Sequence, residues 1–481
     1  VASETRELFI GGESVPALDG RTTDDLNPYT GAVHAVVAAA GPADVARAVG
    51  AAQEAFPAWA ATAPSARRKI LLKAADALEA RTPDVVALIA SEVGGVGGWA
   101  GFNVMLAANM LREAAAAVTQ PVGEVLTTDT PGQLSLALRE PLGVVAAFAP
   151  WNAPVILSTR AVAAPLAAGN TVVLKPSEDA PIAAGLLIAE VLHEAGLPAG
   201  VVNVVTNAPE DAAAVADALI ADPRVRAVNF TGSTEVGRIV GTLAARHLKP
   251  ALLELGGKNS LLVLDDADLD HAVDAATFSA FHNAGQICMS ADRVLVHRSV
   301  AEEFTAKLAA KAGSLPHGDP ADPGTVIGPV INERSAERVA ALVADAVENG
   351  ARVRTGGDGG ATVLDNVTPE MRIFREEIFG PAVVVVPVAD DDEAVAIAND
   401  TEHGLTAGII TEDSRRGLGL ARRIRTGIVH VGNQTVDDEP QAPFGGVKAS
   451  GYGRFGGRWG VEAFSATRWV TIASEHAHFP F

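Results

Sequence analysis

The sequence predicts an α/β protein with two parallel-sheet domains and a small β extension, and three observations carry that prediction. From residue 143, short apolar runs alternate with helical stretches: strands at 144–148, 171–174, 201–205 and 225–230, and helices at 154–168, 180–195 and from Thr234. That βαβα order implies a parallel sheet covered by helices, with ligands at the carboxyl ends of its strands. A second α/β series begins near Glu254, with strands at 260–264, 293–296, 383–386 and 428–431 and helices before Cys288 and near 301–313 and 335–349. Outside both series lie an extended excursion at 122–141, turning near Asp129-Thr130-Pro131-Gly132, and a terminal strand at about 463–473.

Upstream, 7–39 alternates apolar and turn-forming residues as short strands do, and helices follow at 43–60, 65–80 and 102–118, the last ended by Pro121. Pro387 is expected to end the strand at 383–386, having no N–H for a ladder. No repeat or low-complexity linker stands out, although 94–101 is Gly-rich.

A chain of 481 residues is too long for one ordinary core, and 48% hydrophobic with 20% charged residues marks it as globular. With 58 acidic against 37 basic residues the net charge is −21, which argues against nucleic-acid or anionic-membrane partners. An anionic cofactor stays open, because backbone donors bind phosphate on an acidic protein. A single cysteine makes no internal disulfide, which points to a reducing, cytoplasmic setting. There is no signal-peptide pattern and no apolar run of about 18 residues. No compact His/Cys cluster suggests a metal.

That cysteine, Cys288, closes the stretch Phe281-His282-Asn283-Ala284-Gly285-Gln286-Ile287-Cys288. Leu269, Val273, Ala276 and Ala280 recur at near-helical spacing before it, and Gly285 breaks the pattern, so the thiol sits in a turn between a helix and a strand. Alone it reads as a small core residue. Three further stretches change the reading: Glu254-Leu255-Gly256-Gly257, Pro150-Trp151-Asn152-Ala153-Pro154, and Gly169-Asn-Thr-Val-Val-Leu-Lys-Pro-Ser-Glu178. Together they resemble the aldehyde dehydrogenase superfamily, in the family's order and over nearly the whole chain. The resemblance implies a Rossmann-type NAD-binding domain (1–120 and 142–253), a catalytic domain (254–455) and an oligomerisation extension (121–141 and 456–481). It also implies a homo-oligomer, dimer or tetramer, joined through the projecting hairpin and the terminal strand.

Gly232-Ser233-Thr234-Glu235-Val236-Gly237 follows a strand and opens a helix, where glycines and a helix N-terminus suit a pyrophosphate. It lacks the middle glycine of the common dinucleotide fingerprint, and Arg238-Ile239 stand where a P-loop needs Lys-Ser/Thr, so a capped turn is an equal reading in isolation. The resemblance assigns Ser233 to the pyrophosphate and puts Pro150, Trp151, Ser177, Leu255 and Gly256 along the cofactor. Lys175 and Glu178 are a surface pair by themselves and ribose ligands by resemblance. A carboxylate at 178 repels a 2′-phosphate, which favours NAD, with NADP the alternative. In the motif at 376–381, Glu377 would hold the nicotinamide ribose and Phe379 lie by the ring; otherwise they are a capping acid and a core Phe.

Oxidising an aldehyde requires a tetrahedral hydride donor, which a thiolate creates by adding to the carbonyl. Cys288 is the nucleophile, and an ordinary thiol with pKa about 8.5 needs activation. Glu254 is the candidate base for the thiol and the hydrolytic water; the alternative is a strand-end Glu paired with Lys258. By resemblance this acid implies hydrolysis rather than transfer to coenzyme A. Asn152, otherwise a turn residue, would form an oxyanion hole with the Cys288 N–H.

Residues 430–454 hold the superfamily core Pro443-Phe444-Gly445-Gly446-Val447-Lys448-Ala449-Ser450-Gly451. Its flank Asn433-Gln-Thr-Val-Asp-Asp-Glu-Pro440, and Trp99-Ala-Gly-Phe102-Asn103, resemble the benzaldehyde, vanillin and salicylaldehyde dehydrogenases. Trp99, Phe102, Phe444 and Tyr452 are expected to wall a flat apolar slot, with Arg160 or Asn103 meeting ring substituents; plain core packing is expected for two of the four aromatics. A semialdehyde or aliphatic aldehyde dehydrogenase is the competing enzyme reading, though a carboxylate-bearing substrate needs a cationic pocket that the sequence does not reveal. A non-catalytic member of the fold is the other, against which stand Cys288, Glu254, Asn152 and Lys175.

Overall fold

The structure is a computed structural model that describes residues 5–357, 359–476 and 479–481; the remaining ends of the expected first and last segments, and Asp358, lie outside them. The chain starts with a hairpin of β1 (Leu8–Ile10) and β2 (Glu13–Val15), turned by Gly11 and Gly12 at φ 68° and 84°, as a two-residue turn requires. A ribbon of β3 (Thr22–Leu26) and β4 (Val33–Ala38) and four helices follow: α1 (Pro42–Ala60), α2 (Pro64–Ala80), α3 (Thr82–Val93) and α4 (Gly97–Ala117). The gap between the helices expected at 65–80 and 102–118 therefore holds all of α3, and α4 starts within the Gly-rich stretch at 94–101. Burial of α4 against α2 and α5 (Pro154–Ala168) outweighs the poor helix propensity of Gly97, Gly98 and Gly101.

The outlying hairpin is β5 (Gly123–Leu126) and β6 (Leu134–Pro141). Then come β7 (Val144–Ala149), α5, β8 (Thr171–Pro176), a π-helical turn at 182–186 leading into α6 (Leu187–Glu194), β9 (Val202–Val204), α7 (Ala212–Ala221), β10 (Val225–Thr231), α8 (Thr234–Arg246) and β11 (Ala251–Glu254). Every residue of β7 and β8 is buried, which is why β7 and Val172–Leu174 of β8 read as unbroken apolar runs. Strands β11, β10, β7, β8 and β9 are parallel neighbours in that order, with the β1–β2 hairpin antiparallel at one edge. The chain builds outward from β7 to β9, then returns to lay β10 on β7's other side. The crevice of this switch point opens between the carboxyl ends of β7 and β10, where Pro150–Asn152 and Gly232–Ser233 lie.

The second sheet comprises β12 (Asn259–Val263), β13 (Ala291–His297), β14 (Arg352–Thr355), β15 (Thr362–Asp365), β16 (Ala382–Val388), β17 (Thr406–Ile410) and β18 (Ile428–Val431), in spatial order 14-15-16-13-12-17-18. Helices α9 (Leu269–Phe281), α10 (Ala301–Gly313) and α11 (Glu333–Glu348) belong to this part of the chain. Pro387 does not end β16, contrary to expectation: it pairs in register with Val296. Pairing with β15 stops at Leu364↔Val384, so on that side no ladder needs the missing N–H.

Two later segments return to the first sheet. The short β19 (Gly451–Tyr452) adds antiparallel to β11, and the helix Gly457–Ala463 packs on α4 and α5. Last, β20 (Ser465–Ile472) pairs with β6 along its full length, giving a three-stranded sheet that exposes Val125, Trp469 and Ile472. Among the described residues no helix is long and apolar enough to cross a membrane.

Candidate active site

A cavity of about 340 Å³ lies where the switch-point crevice meets the second sheet. Around it stand Pro150, Trp151 and Asn152 after β7, Gly232 and Ser233 after β10, Glu254, Leu255 and Gly256 at the end of β11, Cys288 before β13, and Glu377 and Phe379 before β16. Five stretches between Pro150 and Phe379 thus reach one space because each follows or precedes a strand.

Cys288 is held by its loop. Asn283, Ala284 and Gly285 all have positive φ, 50°, 54° and 70°. At Gly285 a Cβ would sit 2.1 Å from the Gly380 carbonyl oxygen, so only glycine lets this turn rest on the 376–381 motif. The Asn259 amide donates to the Cys288 and Ser290 carbonyls at 2.8 and 2.9 Å, and Gln286 Oε1 accepts from Ile331 N at 2.9 Å. Burial, reinforced by the Glu254 charge, pushes the thiol up to about 12. The nearby His282 is no base for it: burial between Trp99 and Phe278 pushes its ring down to about 4.

Glu254 is buried, and its Oε1 has no hydrogen-bond partner. Burial raises its carboxyl to about 8, against the pull of Arg160 and Arg454. Lys258 does not pair with it. That ammonium donates to the Ile373 and Glu376 carbonyls and lies 3.6 Å from Asp292, bracing the 376–381 motif instead. Asn152 donates one amide hydrogen to the Gln286 carbonyl at 2.9 Å, while its own carbonyl accepts from Trp99 Nε1 and Asn283 Nδ2, each at 3.0 Å. An NH₂ group has a second hydrogen, and Asn152 lines the cavity beside Cys288.

On the side of the cavity formed by the β10–α8 turn, Ser233 caps α8 by accepting from Val236 N, and Gly232 N donates to the Glu254 carbonyl, tying this turn to β11. Glu377 accepts from Gly257 N at 2.8 Å, and burial lifts its carboxyl to about 7. A Cβ on Gly256 would fall 2.5 Å from that carboxylate. Trp151 meets Phe379 edge to face at 5.6 Å. Lys175 and Glu178 form an ion pair at the end of β8, with Asn207 donating to Glu178. Burial opposes the Glu178 charge, but Lys175 and Asn207 hold its carboxyl below the usual value. Ser177 Oγ caps its own turn at Asp179 N.

Beside Cys288 a tighter chamber is walled by Trp99, Phe102, Leu106, Ile156, Leu157, Ile287, Met289, Val436 and Phe444. Trp99 stacks on Phe102 at 5.7 Å. Three expected contacts fall elsewhere. Tyr452 is half exposed on β19, its hydroxyl toward Gly241, because edge pairing with Leu253 aims it away. Asn103 turns into the helix packing: it donates to the Trp99 carbonyl and accepts from Ile156 N. Gly237 lines no part of the cavity; it admits Leu255 against α8, where a Cβ would stand 2.3 Å from Leu255 Cδ2. Arg160 does line the chamber, but ion-paired with Asp438. Asp438, Met289, Ser335 and Arg338 were missed; Asp438 stood within the flank quoted above, without a signal for its partner.

A lone thiol, a buried carboxylate with a free oxygen and an amide donor thus meet around one cavity at the switch-point crevice of an α/β fold. Residues 15–470 match the aldehyde dehydrogenase family. The chain belongs to that family and is an aldehyde dehydrogenase using NAD(P). It is 56% identical over 478 residues to a vanillin dehydrogenase of Pseudomonas fluorescens, covering 98% of this chain and 99% of the relative. It is 45% identical over 481 residues to a salicylaldehyde dehydrogenase of Pseudomonas putida, covering 99% of each. The crystal structure of a salicylaldehyde dehydrogenase from Pseudomonas putida G7 complexed with salicylaldehyde superposes with TM-score 0.97 at 44% identity, covering 99% of this chain and all of the other.

Proposed function

We propose that the protein oxidises aromatic aldehydes of the benzaldehyde, vanillin or salicylaldehyde type to carboxylic acids, with NAD as the preferred acceptor. The observation that carries this reading is the chamber beside Cys288, mostly apolar and lined by the stacked Trp99 and Phe102 and by Phe444. A flat ring fits such walls by burial and offset stacking. The relatives named above act on ring aldehydes, which supports it.

The residues fit a dinucleotide: a glycine turn at a helix N-terminus for the pyrophosphate, Lys175 and Glu178 for the adenosine ribose, and Glu377 for the nicotinamide ribose, with Trp151 and Phe379 beside the ring. When bound, the nicotinamide accepts the hydride. Everything else falls to the chain. Glu254 takes the Cys288 proton, and the thiolate adds to the carbonyl carbon. The developing oxyanion is held by the Asn152 amide and the Cys288 N–H. Loss of hydride from the carbon leaves a thioester on Cys288. Glu254 gives the Cys288 proton up to solvent and, again a carboxylate, takes one from water as the water attacks the thioester; the acid is released, and the departing Cys288 thiolate recovers the proton from Glu254. A buried base at about 8 suits proton transfer near neutral pH, and a thiol at about 12 stays protonated until substrate is present. A thiol that must remain reduced suits the cytoplasm.

Formation of NADH and NADPH, followed by absorbance, tests the reading with benzaldehyde, vanillin, salicylaldehyde, hexanal and succinic semialdehyde. Highest kcat/KM on the ring aldehydes with NAD is expected; highest turnover of hexanal or the semialdehyde would discard the aromatic assignment. Asn152→Ala should lower kcat by about 10²–10³, with KM little changed. Glu178→Ala should raise the NADP to NAD ratio of kcat/KM, since it removes the carboxylate facing a 2′-phosphate; an unchanged ratio would dissociate Glu178 from the ribose. The open edges of β5 and β20, with Val125 and Trp469 exposed, support a homo-oligomer joined by strand pairing. Light scattering should find a dimer or tetramer, and Trp469→Asp should shift it to a smaller species.

A further inference from the structure

Arg160 lies on α5, six residues after the helix starts at Pro154. Its guanidinium forms an ion pair with Asp438, both side chains only 6% exposed, and sits 4.0 Å over the Phe444 ring. Arg160, Asp438 and Phe444 line the chamber beside Cys288 and also a second cavity on their far side. They are the partition between the two. The outer cavity carries Glu113 and the exposed Glu439. Arg160 is the only Lys or Arg on either cavity's wall among the described residues. The two cavities together present three carboxylates, those of Glu113, Asp438 and Glu439, and one cation, which is already paired with Asp438.

A buried Arg without its partner is a strong anion site, because its desolvated charge gains most from a carboxylate. Paired, it offers an incoming anion almost nothing, while the anion still loses its hydration and meets Asp438, Glu113 and Glu439. A neutral ring aldehyde loses little.

Building on the aromatic-aldehyde reading, we propose that Asp438 is a specificity-determining residue: by masking Arg160 at the partition, it makes the enzyme accept uncharged ring aldehydes and reject those bearing a carboxylate. Asp438 acts through Arg160, so it is a positioning residue rather than a catalytic one. The same masking keeps the carboxylate product from lodging on Arg160.

The test compares kcat/KM for benzaldehyde and 4-formylbenzoate, and measures benzoate binding by calorimetry, in wild type, Asp438→Asn, Asp438→Glu and Arg160→Gln. Wild type should prefer benzaldehyde by about 100-fold or more, with Asp438→Asn cutting that preference by about 30-fold, chiefly through KM for 4-formylbenzoate, and tightening benzoate about 10-fold. Asp438→Glu should restore the wild-type preference. Arg160→Gln should move it the other way, raising discrimination, and this arm decides the matter if Asp438→Asn does not fold. Equal losses on both substrates, or a preference unchanged within about threefold with benzoate binding no tighter, would overturn the proposal. If wild type turns over no ring aldehyde, the functional reading fails, and benzoate binding to Asp438→Asn still decides whether Asp438 masks Arg160.

Discussion

Cys288→Ala is expected to bring aldehyde-dependent NADH formation to background, a loss of about 10⁴-fold or more, while NAD binding followed by tryptophan fluorescence changes little. No second thiol exists to take over. The loop that carries Cys288 is fixed by groups other than its sulfur: the Asn259 amide on its carbonyl, Gln286 on Ile331, and the left-handed run at 283–285 against Gly380. Removing the sulfur therefore leaves the turn and the cavity in place, and the melting temperature should stay close to that of wild type. Retained turnover would mean that the reaction runs without covalent addition.

Glu254→Gln should lower kcat by about 10²–10⁴ and convert the kinetics to a burst: the variant also removes the charge that helps keep Cys288 protonated, so the thioester still forms, while its hydrolysis has no base. In wild type the rate should rise with pH through about 8, as the carboxyl loses the proton it must lose to act as a base. That limb should vanish in Glu254→Gln. Stability runs in the opposite direction. A folded-state value of about 8, above the ordinary 4.5, means that the folded protein holds a proton the unfolded chain has released. This contribution is complete below about 4.5 and disappears as pH rises through about 8. The Gln variant escapes the loss, so its melting temperature should exceed that of wild type at pH 9 and converge with it toward pH 5. A Gln variant less stable at high pH would show that the Glu254 charge is well compensated in the fold.

These two residues were legible in the sequence because each stands in a local pattern, a strand end followed by two glycines and a helix broken by Gly285. The strand–helix alternation from 143 likewise announced the first sheet, whose buried strands β7 and β8 carry the apolar runs 144–149 and 172–174. What escaped was set by contacts between distant parts of the chain. Asp438 meets Arg160 across 278 positions, and nothing near either residue announces the other. Tyr452 was placed with the aromatics for its ring, but the edge pairing of β19 aims it elsewhere. Gly237 was read as phosphate-facing when its space belongs to Leu255. Pro387 obeys its rule about N–H groups, yet the rule bites only where a neighbouring strand needs that donor. The helix α3 went unread although Pro83 and Asp84 stand in its first turn and the left-handed Gly94 ends it; these signals mark a helix only once Val85, Ile89 and Val93 are seen to be buried together.

The central claim is that an aromatic aldehyde is oxidised while attached to Cys288 and that Glu254 frees it. Intact and peptide mass spectrometry of Glu254→Gln, quenched in acid after mixing with benzaldehyde and NAD, tests it most directly. One benzoyl group per chain, on the peptide containing Cys288, formed with a stoichiometric amount of NADH and absent when NAD is omitted, is the predicted result. NADH formed with Cys288 unmodified throughout, or a benzoyl group on any other residue, would contradict the account.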